Sequence, residues 1–267
     1  MVGKEACRRS VVAEPLADQG LVLITGASGG FGIEFARQLE ALGYSLILHG
    51  RDEPRLLLTL NTLRHPARHR LILADLNAKK GVATLLAGIG SVPLAGLINN
   101  AGFGIWGSFE QTGIVPQIDV IKTDLKAPIE LTHALLPGLL KNKGFIINVS
   151  SLAGVTPLPY MSTYAAAKAG LTYWSEAIRT ELAGRVRVVT LAPGPSPTGF
   201  REISGMPSGP GSFFRSPVPG IIQAALLTLA RGGGYCVPGR RHRLLYLLQK
   251  ITPTKWALRL MASHLRP

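Results

Sequence analysis

Short apolar runs alternate with longer stretches of helical periodicity along most of the chain. Residues 21–25, 45–49, 70–74, 94–99, 145–149 and 186–191 read as strands. These runs are nearly continuous in apolar residues, the pattern of a parallel sheet buried on both faces. Between them, 30–42, 53–63, 77–87, 115–140 and 160–183 carry helical spacing. Strand–helix alternation repeated this often predicts a doubly wound α/β fold, with one catalytic-size domain over about 21–239. No repeat of the solenoid kind is present.

Past Leu191 the pattern breaks. Residues 193–220 hold prolines at 193, 195, 197, 207, 210, 217 and 219, too long and too irregular for an ordinary connection, and read as a lid. A helix at 220–229, a short apolar piece at 235–237 and a basic, leucine-rich helical tail at 240–267 follow. In that tail Thr252 is expected to cap a second helix with Pro253 at its first position. Residues 1–20 read as a poorly ordered lead-in.

A length of 267 residues and a mean hydropathy of +0.25 leave ample material for one large core. Two cysteines, Cys7 and Cys236, argue against a disulfide framework and point to a reducing, cytoplasmic setting. No apolar run reaches the ~18 residues of a membrane span. The basic N-terminus has no apolar segment behind it, so a signal peptide is not expected. The net charge of +14 is uneven: no Asp or Glu follows Glu202, whereas nine Lys/Arg do. Two readings of the tail stay open: peripheral contact with an anionic membrane, or packing on a partner subunit over the site. Nucleic acid is not expected as a partner.

The chemistry centres on Tyr164 and Lys168, four residues apart and hence on one helix face, with Ser151 thirteen residues before the tyrosine. A free phenol titrates near ~10. A neighbouring ammonium favours the phenolate, so the Tyr164 pKa is expected to fall toward the range of a useful acid and base. The first strand runs into Thr25-Gly26-Ala27-Ser28-Gly29-Gly30-Phe31-Gly32 and then a helix, where backbone amides and absent side chains suit a pyrophosphate. The same string fits a nucleophile elbow, but an elbow follows several strands and here one precedes it.

Glycine spacing of G-x-x-x-G-x-G, Asn99-Asn100-Ala101-Gly102 after the fourth strand, Ser151 and Tyr164-x-x-x-Lys168 together resemble the short-chain dehydrogenase/reductase family from about residue 21 to 200. The resemblance implies a nicotinamide cofactor held by Gly26, Ser28, Gly30, Phe31 and Gly32. It further implies Asp75 and Leu76 at the adenine, Asn99, Ala101 and Gly102 along the cofactor, and Pro193, Gly194 and Thr198 at the carboxamide. Tyr164 and Lys168 would meet the ribose as well as the substrate. It implies Ser151, Tyr164 and Lys168 as the catalytic triad, and a homodimer or homotetramer built on the two long helices. Residue 124, 27 before Ser151, is aspartate where the family has a water-holding asparagine. Its charge acts on Lys168, or its backbone carbonyl does the work, or it is an Asp held by local amides and lysines; all three stay open.

NAD enzymes of this fold place an acid at the end of the second strand to bind the ribose 2′-hydroxyl. Here that end reads Leu48-His49-Gly50-Arg51, with no acid and a guanidinium next, which predicts NADP(H). Phe103, Ile105, Trp106 and Phe109, then Pro157, Leu158, Tyr160 and Met161, then Phe200, Met206, Phe213 and Phe214 are expected to converge over the nicotinamide. A lipophilic carbonyl compound or secondary alcohol is the expected substrate. The six histidines show no metal spacing, and no metal is expected. Rival readings are a catalytically silent NADP-binding regulatory protein and an epimerase or dehydratase on the same fold.

Overall fold

The computed structural model describes residues 20–206 and 215–267. Residues 1–19 of the expected lead-in, and 207–214 of the expected lid with Phe213 and Phe214, lie outside the described residues. The strands are β1 (Leu21–Thr25), β2 (Ser45–Gly50), β3 (Arg70–Leu73), β4 (Leu94–Asn99), β5 (Phe145–Val149), β6 (Arg187–Leu191) and β7 (Gly234–Cys236). They form one sheet in the order β3-β2-β1-β4-β5-β6-β7, and every pairing is parallel.

The central strands are apolar on both sides, so their period of two shows only in which layer a side chain enters. Val22 and Ile24 of β1 join Leu46 and Leu48 of β2 on one face. There they meet Phe35, Ala36 and Leu39 of α1 (Gly30–Ala41) and Leu56 of α2 (Glu53–Asn61). Ile222, Ala225 and Leu229 of α8 (Val218–Ala230) complete that layer. Leu23, Ile47, Leu97 and Ile146 enter the other face, against Leu85 and Ile89 of α3 (Gly81–Ile89) and Leu131 and Leu139 of α5 (Ala127–Lys141). The remaining helices are α4 (Ile114–Ile121), α6 (Ser162–Glu181), α7 (Phe200–Ser204), α9 (Arg240–Ile251) and α10 (Thr254–Leu265).

Several elements differ from their sequence expectation. The helix expected over 115–140 is interrupted: α4 and α5 are joined by a π-helical segment, Lys122–Lys126. The helix expected from 77 starts only at Gly81, because the Asp75 carboxylate accepts from the Asn77 amide (3.0 Å) and holds a turn there. The helix α6 starts at Ser162 rather than 160, since Tyr160 sits at φ +62°. The apolar piece at 235–237 is a true strand, β7, extending the sheet on β6. Thr252 does not cap the last helix. Its hydroxyl donates back to the Leu248 carbonyl (2.7 Å), ending α9, and Pro253 is extended at ψ 131° ahead of α10.

The direction of winding reverses between β1 and β4. In open α/β sheets the crevice beyond the carboxyl ends of the strands at such a reversal is where ligands bind.

Candidate active site

Four segments leave the sheet at that crevice, and buried polar bonds fix them to one another. Thr25, the last residue of β1, donates to the Ile98 carbonyl (3.2 Å) and accepts from the Asn100 and Ala101 amides (both 3.0 Å), using its full capacity. Asn100 returns two bonds from its amide to the Thr25 and Gly26 carbonyls, at 2.9 and 3.0 Å. Gly26 has φ +63°, and a Cβ there would lie 2.8 Å from the Ala101 Cα, so only glycine fits between the two segments. Ser28, Gly30, Phe31 and Gly32 continue the turn into α1, whose first amides have no side-chain cap. Thr198, beyond β6, lies against Gly30. Pro193 is tied in by its carbonyl, which accepts from the Leu152 amide beside Ser151 (3.0 Å).

At the far side of the turn Arg51 is exposed just past β2, and Asp75 is exposed past β3 with Leu76 buried next to it. The acid nearest Arg51, Asp52, is committed to α2, accepting from the Arg55 amide at 3.0 Å. Arg55 itself donates from Nη2 to the Ser28 carbonyl (3.2 Å), placing a second guanidinium at the glycine turn. Sequence reasoning missed Arg55. The signal was available: Asp52-Glu53-Pro54 reads as a helix start, which puts Arg55 in a first turn facing back along the chain.

A second buried network orients α6. Asn99 donates from Nδ2 to Asn148 Oδ1 (2.8 Å) and Thr132 Oγ1 (3.2 Å), and Asn148 donates onward to Ser175 Oγ on α6 (2.8 Å). Ser150 bonds the Lys168 carbonyl (3.0 Å), pinning the same helix one turn beyond Tyr164. The asparagine within the apolar run of β5 was the visible clue to this network.

Tyr164 and Lys168 are consequently turned inward. Lys168 Nζ donates to the Val149 carbonyl (2.9 Å) and lies 3.1 Å from Asp124 Oδ2. The Asp124 contact is a close ion pair, made beside the Val149 bond because the ammonium has three donors. Asp124 Oδ1 accepts from the Phe103 amide (3.0 Å). The carboxylate is fully buried in the π-helical segment, an irregularity common at functional sites. Gly102 leaves the room: a Cβ there would sit 2.8 Å from Asp124 Oδ2 and 3.1 Å from Lys168 Nζ. Asp124 thus meets the Lys168 ammonium with one oxygen and is held by the Phe103 backbone amide with the other, and neither Lys122 nor Lys126 pairs with it.

Burial alone would depress the Lys168 pKa, but the Asp124 charge, the Tyr164 charge and the Asp124 contact together outweigh it and hold the group above the ordinary lysine value. Burial raises the Asp124 carboxyl more than Lys168 and the Phe103 amide lower it. For Tyr164 the direction is opposite to the sequence expectation. Burial raises the phenol, and the Asp124 charge raises it further, against the pull of Lys168 and of a hydrogen bond from Ser151. Ser151 Oγ also accepts from the Ala153 amide (3.1 Å), which opens the short 3₁₀ turn Leu152–Gly154.

Apolar groups enclose the phenol. Phe103, Ile105, Trp106, Leu158, Met161, Phe200 and Met206 pack in one cluster with Tyr164, and the Phe200 ring lies 5.0 Å from its ring. Residues of all three expected segments enter this cluster, but Phe109 and Pro157 are exposed and Tyr160 is not part of it.

A crevice at the winding reversal, a glycine-rich turn at a helix N-terminus, and a buried tyrosine–lysine pair define a nucleotide-binding oxidoreductase fold. The family profile described as short chain dehydrogenase matches residues 20–205, and the chain belongs to the short-chain dehydrogenase/reductase family. The ketoacyl reductase HetN of Nostoc sp. is 33% identical over 178 residues, covering 65% of this chain and 62% of HetN. Sulfoacetaldehyde reductase 2 of Chromohalobacter salexigens is 35% identical, covering 67% of this chain and 74% of that protein. Among solved structures, a short-chain dehydrogenase from Sphingobium yanoikuyae in complex with NADPH superposes with a TM-score of 0.75. It is 26% identical and covers 92% of this chain and 96% of its own.

Proposed function

We propose that the chain is an NADP(H)-dependent oxidoreductase that interconverts a lipophilic carbonyl compound and its secondary alcohol. The observation that carries this reading is the buried Tyr164–Lys168 pair beside half-buried Ser151, with an apolar wall around the phenol. The glycine turn fits a dinucleotide pyrophosphate, because Gly26 admits no side chain and the α1 amides lack a cap. Asp75 and Leu76 border the adenine end of the same crevice, and Asn99, Ala101, Gly102, Pro193, Gly194 and Thr198 its nicotinamide end. When bound, NADP(H) supplies or takes the hydride.

The side chains do the rest. Ser151 and Tyr164 hydrogen-bond the carbonyl oxygen and fix its orientation. Tyr164 then gives its phenolic proton to the oxygen as it gains alkoxide character. An alkoxide is a far stronger base than a phenolate, so a phenol with a raised pKa still transfers its proton downhill. Lys168 steadies the phenolate left behind, and Asp124 keeps that lysine charged. A phenol protonated throughout the neutral range favours carbonyl reduction over alcohol oxidation.

Cofactor choice follows from charge. Gly50 supplies no acid, Asp52 is occupied with α2, and Arg51 and Arg55 offer two guanidinium groups where a 2′-phosphate would lie. Two measurements test the reading. In a panel of lipophilic ketones, Tyr164→Phe is expected to lower kcat by at least about 10²-fold while NADPH affinity holds. Arg51→Ala with Arg55→Ala is expected to lower kcat/KM for NADPH at least about tenfold, with little change for NADH. Turnover that survives Tyr164→Phe overturns the mechanism, and a wild-type preference for NADH overturns the cofactor assignment.

A further inference from the structure

The two C-terminal helices turn their apolar stripe outward. In α9, Leu244, Leu247, Leu248 and Ile251 stand at i, i+3, i+4 and i+7 and are all exposed, Ile251 at 77%. In α10, Trp256 (71% exposed) and Leu260 continue the apolar face. An amphipathic helix on a folded domain ordinarily buries that stripe. Here the inner face already holds the body by other residues. His242 is buried against Gly194, so closely that no Cβ fits there. Leu245 and Tyr246 pack with Leu152, Ala192 and Val237. Ala257 anchors α10, and the Leu265 carbonyl accepts from the Trp106 indole (2.8 Å).

Charge says what covers the outer stripe. Residues 240–267 carry Arg240, Arg241, Arg243, Lys250, Lys255, Arg259 and Arg266 and no acidic residue. With 3.6 residues per turn, Arg241 falls on one flank of the α9 stripe and Arg243 and Lys250 on the other. Apolar side chains bordered by cations match a lipid surface, whose acyl region takes the first and whose anionic headgroups take the second. A second copy docking through this same face would set seven cations against seven with no acidic side chain between them.

We propose that α9 and α10 form a docking face for an anionic lipid bilayer. The face adjoins the catalytic crevice: α9 seals the loop at Gly194, and the end of α10 is bonded to Trp106 in the apolar wall around Tyr164. Docking would bring the mouth of the pocket to the level where lipophilic molecules dissolve.

Sedimentation of the full chain with vesicles tests this without any substrate, so its outcome is independent of the activity reading. Vesicles of phosphatidylcholine and phosphatidylglycerol in equal parts are expected to carry down at least about tenfold more protein than phosphatidylcholine alone, and less as salt rises. Ile251→Asp with Trp256→Asp is expected to cut that binding about tenfold or more, with thermal melting and NADPH binding unchanged. Equal sedimentation with both vesicle types overturns the proposal. So does full binding by the double variant, which would mean a purely electrostatic surface. Loss of a dimer by the double variant in light scattering, without vesicle binding by the wild type, assigns the face to a second copy and overturns it as well.

Discussion

A single carboxylate sets the charge balance behind the phenol. Burial raises Tyr164 and the Asp124 charge adds to that rise, while the same charge lifts Lys168 against its burial, so removing it lowers both. With Asp124→Asn, the basic form of Tyr164 needed for alcohol oxidation becomes available at lower pH. The rising limb of kcat/KM for oxidation is therefore expected to move toward acid, and an unchanged pH profile would count against the charge coupling. His49 gives a second test, this time in stability. Its Nε2 hydrogen bonds the Ala74 carbonyl (3.1 Å) while Nδ1 is buried without a partner, and burial lowers its pKa from 6.5 to about 4. The unfolded chain takes the proton first, so the stability this group contributes is complete above pH 6.5 and lost as pH falls toward 4. The loss amounts to about 3 kcal/mol, and denaturant melts of His49→Gln should show a flatter decline over that window. The spacing of Ser151, Tyr164 and Lys168 was legible because covalent intervals fix it. The direction of the phenol's shift was not, because it depends first on burial under the apolar wall and then on a charge forty residues away in sequence.

At the scale of elements, the strands were the most legible part, since full burial in a parallel sheet writes itself as unbroken apolar runs. The break between α4 and α5 was hidden. No glycine or proline lies in Lys122-Thr123-Asp124-Leu125-Lys126, and the apolar spacing carries through it. One extra residue in the helix is what aims Asp124 at Lys168 and lets Thr123 reach Asn77 Oδ1 (2.7 Å) past β3. Deleting exposed Lys126 returns this stretch toward regular α-helix and turns residue 124 by about 100° relative to α5. That variant is expected to lose most of its kcat while circular dichroism stays nearly constant; retained activity would show that the irregularity is incidental. Gly102→Ala forces its methyl group against the same pair and should lower both Tm and kcat.

Across the whole molecule, two groups of exposed apolar residues stand out among the described residues. One is the C-terminal face described above. The other runs over Ile114, Val115 and Ile118 of α4, Ile129 of α5 and Tyr173 of α6, the last 78% exposed. These are the helices on which a homodimer was expected from the sequence, and the face is of the mixed apolar kind that self-association covers. Ile118→Asp with Tyr173→Asp is expected to shift the mass in light scattering from dimer to monomer; a wild-type monomer at working concentration would end that expectation. No described helix is long and apolar enough to cross a membrane. The basic tail was visible in the sequence as composition, but its outward stripe was not, because a periodic pattern alone does not say which face meets the body.

The bond from the Trp106 indole to the Leu265 carbonyl also makes the protein its own optical reporter. The chain has three tryptophans, Trp106, Trp174 and Trp256. With the other two replaced by phenylalanine, emission would come from Trp106 alone, a ring that touches both the pocket wall and the last turn of α10. A shift in its emission maximum would report occupancy of the pocket, and a change in its quenching would report release of the final helix. One fluorophore could then be followed in time to ask which of those two events comes first.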